Sequence, residues 1–155
     1  MCYGFYGWES ACISPVNQQF AAAESPCRLY EILSELWSAE TCAPRLRERW
    51  SSENRTLGQC SVTAFLVQDI FGGKVYGIPR NGGNFHCYNV VVDCCFDLTS
   101  EQFGDEAAEL VYAGNPEQFR EVHFASEEKR LRYERLKGLL VEFLDGISVN
   151  SEEKE

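Results

Sequence analysis

Three residues along this chain are of the types that together make a nucleophilic site: Cys60, His86 and Asp97. A thiol attacks a carbonyl carbon as its thiolate, so it needs a base within hydrogen-bond reach, and the base needs a third group to orient it. Cys60 stands where the polar segment ending in Leu57-Gly58-Gln59 gives way to a strongly apolar run. Val62, Phe65, Leu66 and Ile70 follow at i, i+3, i+4 and i+8, the spacing of one helical face. Ala64, Val67 and Phe71 fill the opposite side, and Gly72-Gly73 close the run, which predicts a central buried helix with Cys60 in its first turn. Unpaired amides and the positive end of the helix dipole favour a thiolate there. The competing reading is a small buried residue, a common place for a free cysteine.

The chain has 2 histidines, His86 and His123. His86 follows the turn cluster Asn81-Gly82-Gly83-Asn84 and lies at the start of a β-rich stretch. It can reach the helix start if that helix packs on the sheet. Asp97 lies on the next strand of the same hairpin, where a carboxylate can hold the imidazole and stabilise its charged form. His123 is the alternative base and Asp93, in the hairpin turn, the alternative orienter; Asp97 can also simply satisfy turn amides. Acyl transfer needs donors for the oxyanion as well. The Cys60 amide is one. The side chains considered for oxyanion or substrate contacts are Gln59, Asn54, Asn89 and Trp50, with Asn89 disfavoured because it faces away from His86 on a regular strand. His86, Cys87, Cys94 and Cys95 are soft ligands close in sequence. Neighbours on a strand point to opposite faces and no Cys-x-x-Cys pair is present, so neither a metal nor an organic cofactor is expected.

Positioning these residues requires a helix start set against a strand pair. Ser25-Pro26 begins a helix with Leu29, Ile32, Leu33, Leu36 and Trp37 on one face. Thr41 to Trp50 is a connector or short helix, and Ser51 to Gly58 a polar loop. Strands are predicted at Lys74–Ile78, Phe85–Val92 and Cys94–Leu98, the last two as an antiparallel hairpin turning at Asp93. Thr99-Ser100-Glu101-Gln102 reads as a capping box. Leu110–Tyr112 and Glu121–Phe124 are further strand candidates. Ser126 caps a last helix striped with Tyr133, Leu136, Leu140, Phe143 and Ile147. This order predicts one α+β domain over residues 1–150 with a small antiparallel sheet, a poorly readable segment at 1–24 and a frayed acidic tail at 151–155.

The 155 residues are 45% apolar, enough for a sizeable core, and carry a net charge of -10. That charge argues against a nucleic-acid or anionic-membrane partner. No run approaches the roughly 18 apolar residues of a membrane span. The start Met1-Cys2-Tyr3-Gly4-Phe5 lacks a basic region. The eight cysteines therefore read as reduced thiols of a cytoplasmic protein.

Trp50, Gly58-Gln59-Cys60-Ser61-Val62-Thr63-Ala64, Gln68-Asp69-Ile70-Phe71-Gly72-Gly73, His86, Asn89, Asp97-Leu98-Thr99 and Gln102-Phe103 together resemble the YunG-like family of small bacterial proteins, over roughly residues 35–103. The Cys, His, Asp-x-Thr order also resembles the core of the transglutaminase-like and papain-like superfamily. That resemblance implies Cys60 as nucleophile, His86 as base and acid, and Asp97 as orienter. It departs at Cys87-Tyr88, where the family's common pair after the histidine is aromatic. The expected activity is a cysteine-dependent hydrolase, deamidase or acyltransferase, acting on an amide or thioester in a peptide, protein or small molecule. The alternatives are a non-catalytic peptide- or protein-binding module on the same fold, and a thiol redox protein using Cys87, Cys94 or Cys95.

Overall fold

The structure, a computed structural model, describes residues 2–153, with side chains through residue 147. The acidic tail expected at 151–155 lies outside the described side chains. Helix α1 (Pro26–Leu36) starts as expected: the Ser25 hydroxyl accepts from the Arg28 amide at 3.2 Å, and Pro26 occupies the first turn. Leu29, Ile32 and Leu33 are buried, and Trp37 just beyond donates its Nε1 to Thr63 Oγ1 at 3.0 Å. This bond ties the end of α1 to helix α2 (Cys60–Phe71), the core of the molecule. Val62, Phe65, Leu66 and Ile70 are all fully buried, in keeping with an apolar stretch that has no solvated stripe.

Against α2 lies a four-stranded antiparallel sheet in the order β3-β2-β1-β4, made of β1 (Lys74–Pro79), β2 (Phe85–Val91), β3 (Cys94–Phe96) and β4 (Glu117–Gln118). The register places Ile78 opposite His86 and Phe96 opposite Asn89. The two-residue turn at Val92-Asp93 holds Val92 at φ 57. A short helix α3 (Arg120–His123) leads into α4 (Glu127–Glu153), whose Tyr133, Leu136, Leu140 and Leu144 join the same buried cluster as α1, α2 and the sheet.

Several local expectations give way to long-range contacts. The third strand ends at Phe96, not Leu98, because the Asp97 amide donates to the Tyr6 carbonyl at 3.0 Å in an isolated bridge. Residues 2–24 wrap across the core: Phe5, Phe20 and Ala23 are buried, and the Val16 amide donates to the Ile70 carbonyl at 2.8 Å. Glu121–Phe124 is not a strand. The His123 amide donates to Phe119 and the Phe124 amide to Arg120, which makes a helical turn, while Glu117–Gln118 take the sheet edge. Leu110–Tyr112 stays outside the sheet. No helix among the described residues is long and apolar enough to cross a membrane.

Candidate functional site

Gly58 sets the start of α2. Its φ is +72, and a Cβ there would lie 2.5 Å from Cys42 Sγ and 2.9 Å from the Ala43 amide nitrogen. Glycine alone meets both demands. No side chain caps α2, so its first-turn amides lack a side-chain acceptor. Cys60, half-buried, has its Sγ 3.6 Å from the carbonyl oxygen of Phe85, the residue before His86.

His86 and Asp97 are both almost wholly buried, and His86 Nε2 lies 2.5 Å from Asp97 Oδ2. Extending the β2–β3 register by one step sets Asp97 opposite Tyr88, the diagonal neighbour of His86 on the same face. Asp97 Oδ2 also accepts from the Tyr112 hydroxyl at 2.7 Å, and Oδ1 accepts from the Thr99 amide and hydroxyl at 3.1 and 3.3 Å. The acceptor capacity of a carboxylate is thereby filled from several directions. Phe103 meets the His86 ring edge-on at 4.7 Å. With Nε2 committed to Asp97, Nδ1 is the nitrogen left for Cys60.

The electrostatics follow from these contacts. A hydrogen bond from the Cys87 thiol holds the Cys60 thiol well below its usual pKa. Burial opposes the shift, and His86, by hydrogen bond and charge, together with the Cys87 amide adds to it. The cost is carried by Cys87, which is pushed up because it remains the protonated donor of the pair. Burial alone would lower His86, but the charge and hydrogen bond of Asp97, then Cys60, overcome it and raise His86 to about 10. The second histidine behaves oppositely. Burial first, then the nearby Lys129 charge, lower His123 to about 4. Its Nδ1 accepts from Lys129 Nζ at 3.0 Å and its Nε2 donates to Gln118 Oε1 at 2.8 Å, so both ring nitrogens are engaged away from Cys60.

Two cavities meet at Cys60. One, of about 580 Å³, includes Leu46, Val122 and His123; the other, of about 330 Å³, includes His86, Arg80 and Phe103. None of the four side chains considered for oxyanion or substrate contacts lines either one. Gln59 is buried with Nε2 on the Ser38 carbonyl, and Asn89 donates to the Ala64 carbonyl at 2.9 Å. Asn54 donates to the Gln102 carbonyl at 3.4 Å, and Trp50 Nε1 to the Arg55 carbonyl at 2.9 Å. Each amide or indole is committed to main chain elsewhere. Asp93 lies in the hairpin turn, and the carboxylate bonded to His86 is that of Asp97.

Gln102 is among the side chains that do line both cavities. Its Oε1 accepts from the Gly58 amide at 3.3 Å, and its Nε2 donates to the Thr99 carbonyl at 3.0 Å and lies 3.5 Å from His86 Nδ1. The expected capping box is therefore not formed: Thr99 turns back to Asp97, and Gln102 turns to the helix start. Its chemical role has no local sequence signal beyond the Asp-x-Thr-x-x-Gln spacing. Tyr112 has none at all. Among the described residues no group of three or more His, Cys, Asp or Glu is arranged to hold a metal ion.

The fold and site define a small α+β protein in which a helix-start cysteine meets a buried histidine–aspartate pair beside an open cleft. The model of the family described as YunG protein matches residues 25–145, and the chain belongs to that family. It is 31% identical over 117 residues to "Uncharacterized protein YunG" of Bacillus subtilis (strain 168), an overlap of 76% of this chain and 92% of the relative. The match begins at the Ser25 cap and runs well into α4, wider than the stretch that carries the motif resemblance. No solved structure matches.

Proposed function

We propose that the protein is a cysteine-dependent hydrolase or acyltransferase acting on an amide or thioester. The observation that carries the reading is the buried His86–Asp97 pair, Nε2 to Oδ2 at 2.5 Å, opening onto the same cavity as the helix-start Cys60, with the thiol lowered and the imidazole raised. A nucleophile at the start of a helix packed on an antiparallel sheet also supports the likeness to the transglutaminase-like and papain-like core. In this reading Cys60 Sγ attacks the carbonyl carbon and the C=O π electrons move to oxygen. The oxyanion accepts from the Cys60 amide and from Gln102 Nε2. When His86 Nδ1 carries a proton toward Cys60, it cannot also accept from Gln102, so that second N–H is free for the oxyanion. The tetrahedral centre collapses, the C–N or C–S bond breaks, and His86 gives its Nδ1 proton to the leaving group. Water or an amine, deprotonated by His86, then attacks the thioester and Cys60 leaves as thiolate.

The test is the rate of iodoacetamide labelling of each cysteine against pH, read by peptide mass on folded protein. Cys60 is expected to label at least about ten times faster than exposed Cys12 at pH 6, and to lose that advantage in His86→Ala. Labelling of Cys60 only as an ordinary thiol near pH 8.5 would leave a binding module as the better account.

One observation favours a second reading. The Cys87 thiol and the Cys60 thiol shift each other's ionisation in opposite directions, which suits a thiol redox role in which peroxide converts the Cys60 thiolate to a sulfenic acid with loss of hydroxide. Cys87 sulfur would then attack that sulfur, its thiol proton leaving with the displaced hydroxide as water, and a disulfide forms. This reading requires a Cys60–Cys87 linked peptide after mild peroxide, reversible by dithiothreitol; sulfinic acid at Cys60 without the linked peptide counts against it.

A further inference from the structure

The net charge of -10 hides a local reversal of sign. Among the described residues neither cavity beside Cys60 has an aspartate or glutamate in its lining, whereas Arg45, Arg49, Arg80 and Lys129 all line one or both. Arg132 also lines the larger cavity, but its Nε is held by Glu128 at 2.5 Å. The other cations are differently placed. Among the described residues Arg45, Arg49, Arg80 and Lys129 make no ion pair: Arg80 lies over the Phe103 ring at 4.8 Å, and Lys129 donates to the neutral His123. Three unpaired arginines border the smaller cavity, which is also the one that contains His86. In an acidic protein, positive charge gathered in a cleft concentrates anions there, and a guanidinium presents a fork matched to carboxylate or phosphate oxygens.

The geometry points to an anionic substrate, with a carboxylate or phosphate on its leaving-group side bound by Arg45, Arg49 and Arg80. This rests on the acyl-transfer reading. His86 must protonate the leaving group, so that group occupies the cavity His86 shares with the arginines. The larger cavity, with Leu46, Pro44 and Val122 in its lining, receives the acyl portion. The substrate class is an acyl amide or thioester of an acidic amine or thiol, such as a peptide bond preceding a carboxylate-bearing residue or a thioester of a phosphorylated carrier.

The experiment compares iodoacetate with iodoacetamide at Cys60, normalised to the same pair of rates for N-acetylcysteinamide in solution. The ratio cancels the intrinsic nucleophilicity of Cys60 and reads only the preference for negative charge. It is expected to exceed the solution ratio by about tenfold at low salt and to fall by about fivefold in the Arg49→Gln/Arg80→Gln double variant. Succinate and inorganic phosphate are then added as competitors of iodoacetate, each against sodium chloride at equal ionic strength. The better competitor identifies carboxylate or phosphate as the recognised group. A ratio no higher than in solution, a ratio unmoved in the double variant, or competition no better than sodium chloride overturns the subsite. Failure of the Cys–His pair is seen elsewhere, in the iodoacetamide rate alone and its response to His86→Ala.

Discussion

Replacing Asp97 with alanine is expected to destabilise the protein by about 3–5 kcal/mol, because it leaves a buried partner of a charged pair without compensation. The estimate follows from what Asp97 holds: His86 Nε2, the Tyr112 hydroxyl, and the Thr99 amide and hydroxyl. His86 and Thr99 are buried, where water does not replace the lost acceptor, while Tyr112 is half-buried. Reactivity changes for a separate reason. Burial is the largest influence on His86 and acts to lower it; with Asp97 gone nothing of comparable size opposes it, and the imidazole becomes neutral at pH 7. Cys60 then loses its imidazolium partner. Asp97→Asn separates the two effects. It keeps the shape and part of the hydrogen bonding, so its stability should lie between wild type and Asp97→Ala, while Cys60 labelling at pH 6 drops by about tenfold or more in both. Urea unfolding at pH 7 and peptide-resolved alkylation at pH 6 measure the two. Unchanged Cys60 labelling in Asp97→Asn would shift the cause of its low pKa to Cys87 and the helix start.

The parts of this site that could be read from the sequence are those set by strong periodicity. Val62, Phe65, Leu66 and Ile70 mark α2 without ambiguity, and that fixes Cys60 at a helix start. Two β-rich runs so closely joined admit only a hairpin, which sets Asp97 beside the strand of His86, but the exact diagonal depends on Val92 joining Asp93 in the turn, whereas the sequence pattern carries the strand through Val92. What escapes the sequence depends on contacts distant along the chain. Tyr6 ends β3 one residue before Asp97, and Tyr112 reaches Asp97 from an irregular segment that stacks on Tyr6. The Thr99–Gln102 box was chemically sensible, but a buried carboxylate two residues earlier is a better partner for Thr99 than a distant amide. Strand β4 has two residues, too short for an alternation signal. Asn89, Gln59 and Asn54 are candidates for their side-chain amides and Trp50 as the aromatic that the resemblance expects near the nucleophile, but each side chain is tied by an N–H to a main-chain carbonyl elsewhere. The cationic cleft was hidden for another reason. A net charge averages over the surface, while Arg45 and Arg49 on a 3-10 turn and Arg80 at the end of β1 converge only in three dimensions.

The second large effect is a pH dependence that emerges when wild type is compared with Cys60→Ala. His86 holds its proton more tightly in the folded chain, up to about 10 against an ordinary 6.5. Its stabilising contribution is therefore complete below pH 6.5 and is lost as pH rises through about 10. Cys60 is shifted the other way, so its contribution is complete above the unfolded thiol value of about 8.5 and is lost as pH falls through its lowered folded value. Between about pH 6.5 and 8.5 the two slopes cancel, because the folded pair and the unfolded pair each carry one proton. Wild type should gain or lose nothing from this pair across that window. In Cys60→Ala only the His86 slope remains, since Asp97, its strongest raising influence, is still present. Stability then falls by about 1.4 kcal/mol per pH unit, or about 2–3 kcal/mol over the window. His123 is neutral in both folded proteins across this window and drops out of the difference, and Cys87, which burial still pushes up without Cys60, stays protonated in both. Urea unfolding free energies of the two proteins at pH 6.5, 7.5 and 8.5 supply that difference. A difference that widens steadily with pH means that Asp97 holds a proton on His86 even without the thiolate. A flat difference means that His86 titrates near its ordinary value, and Cys60 would then face a neutral imidazole at neutral pH.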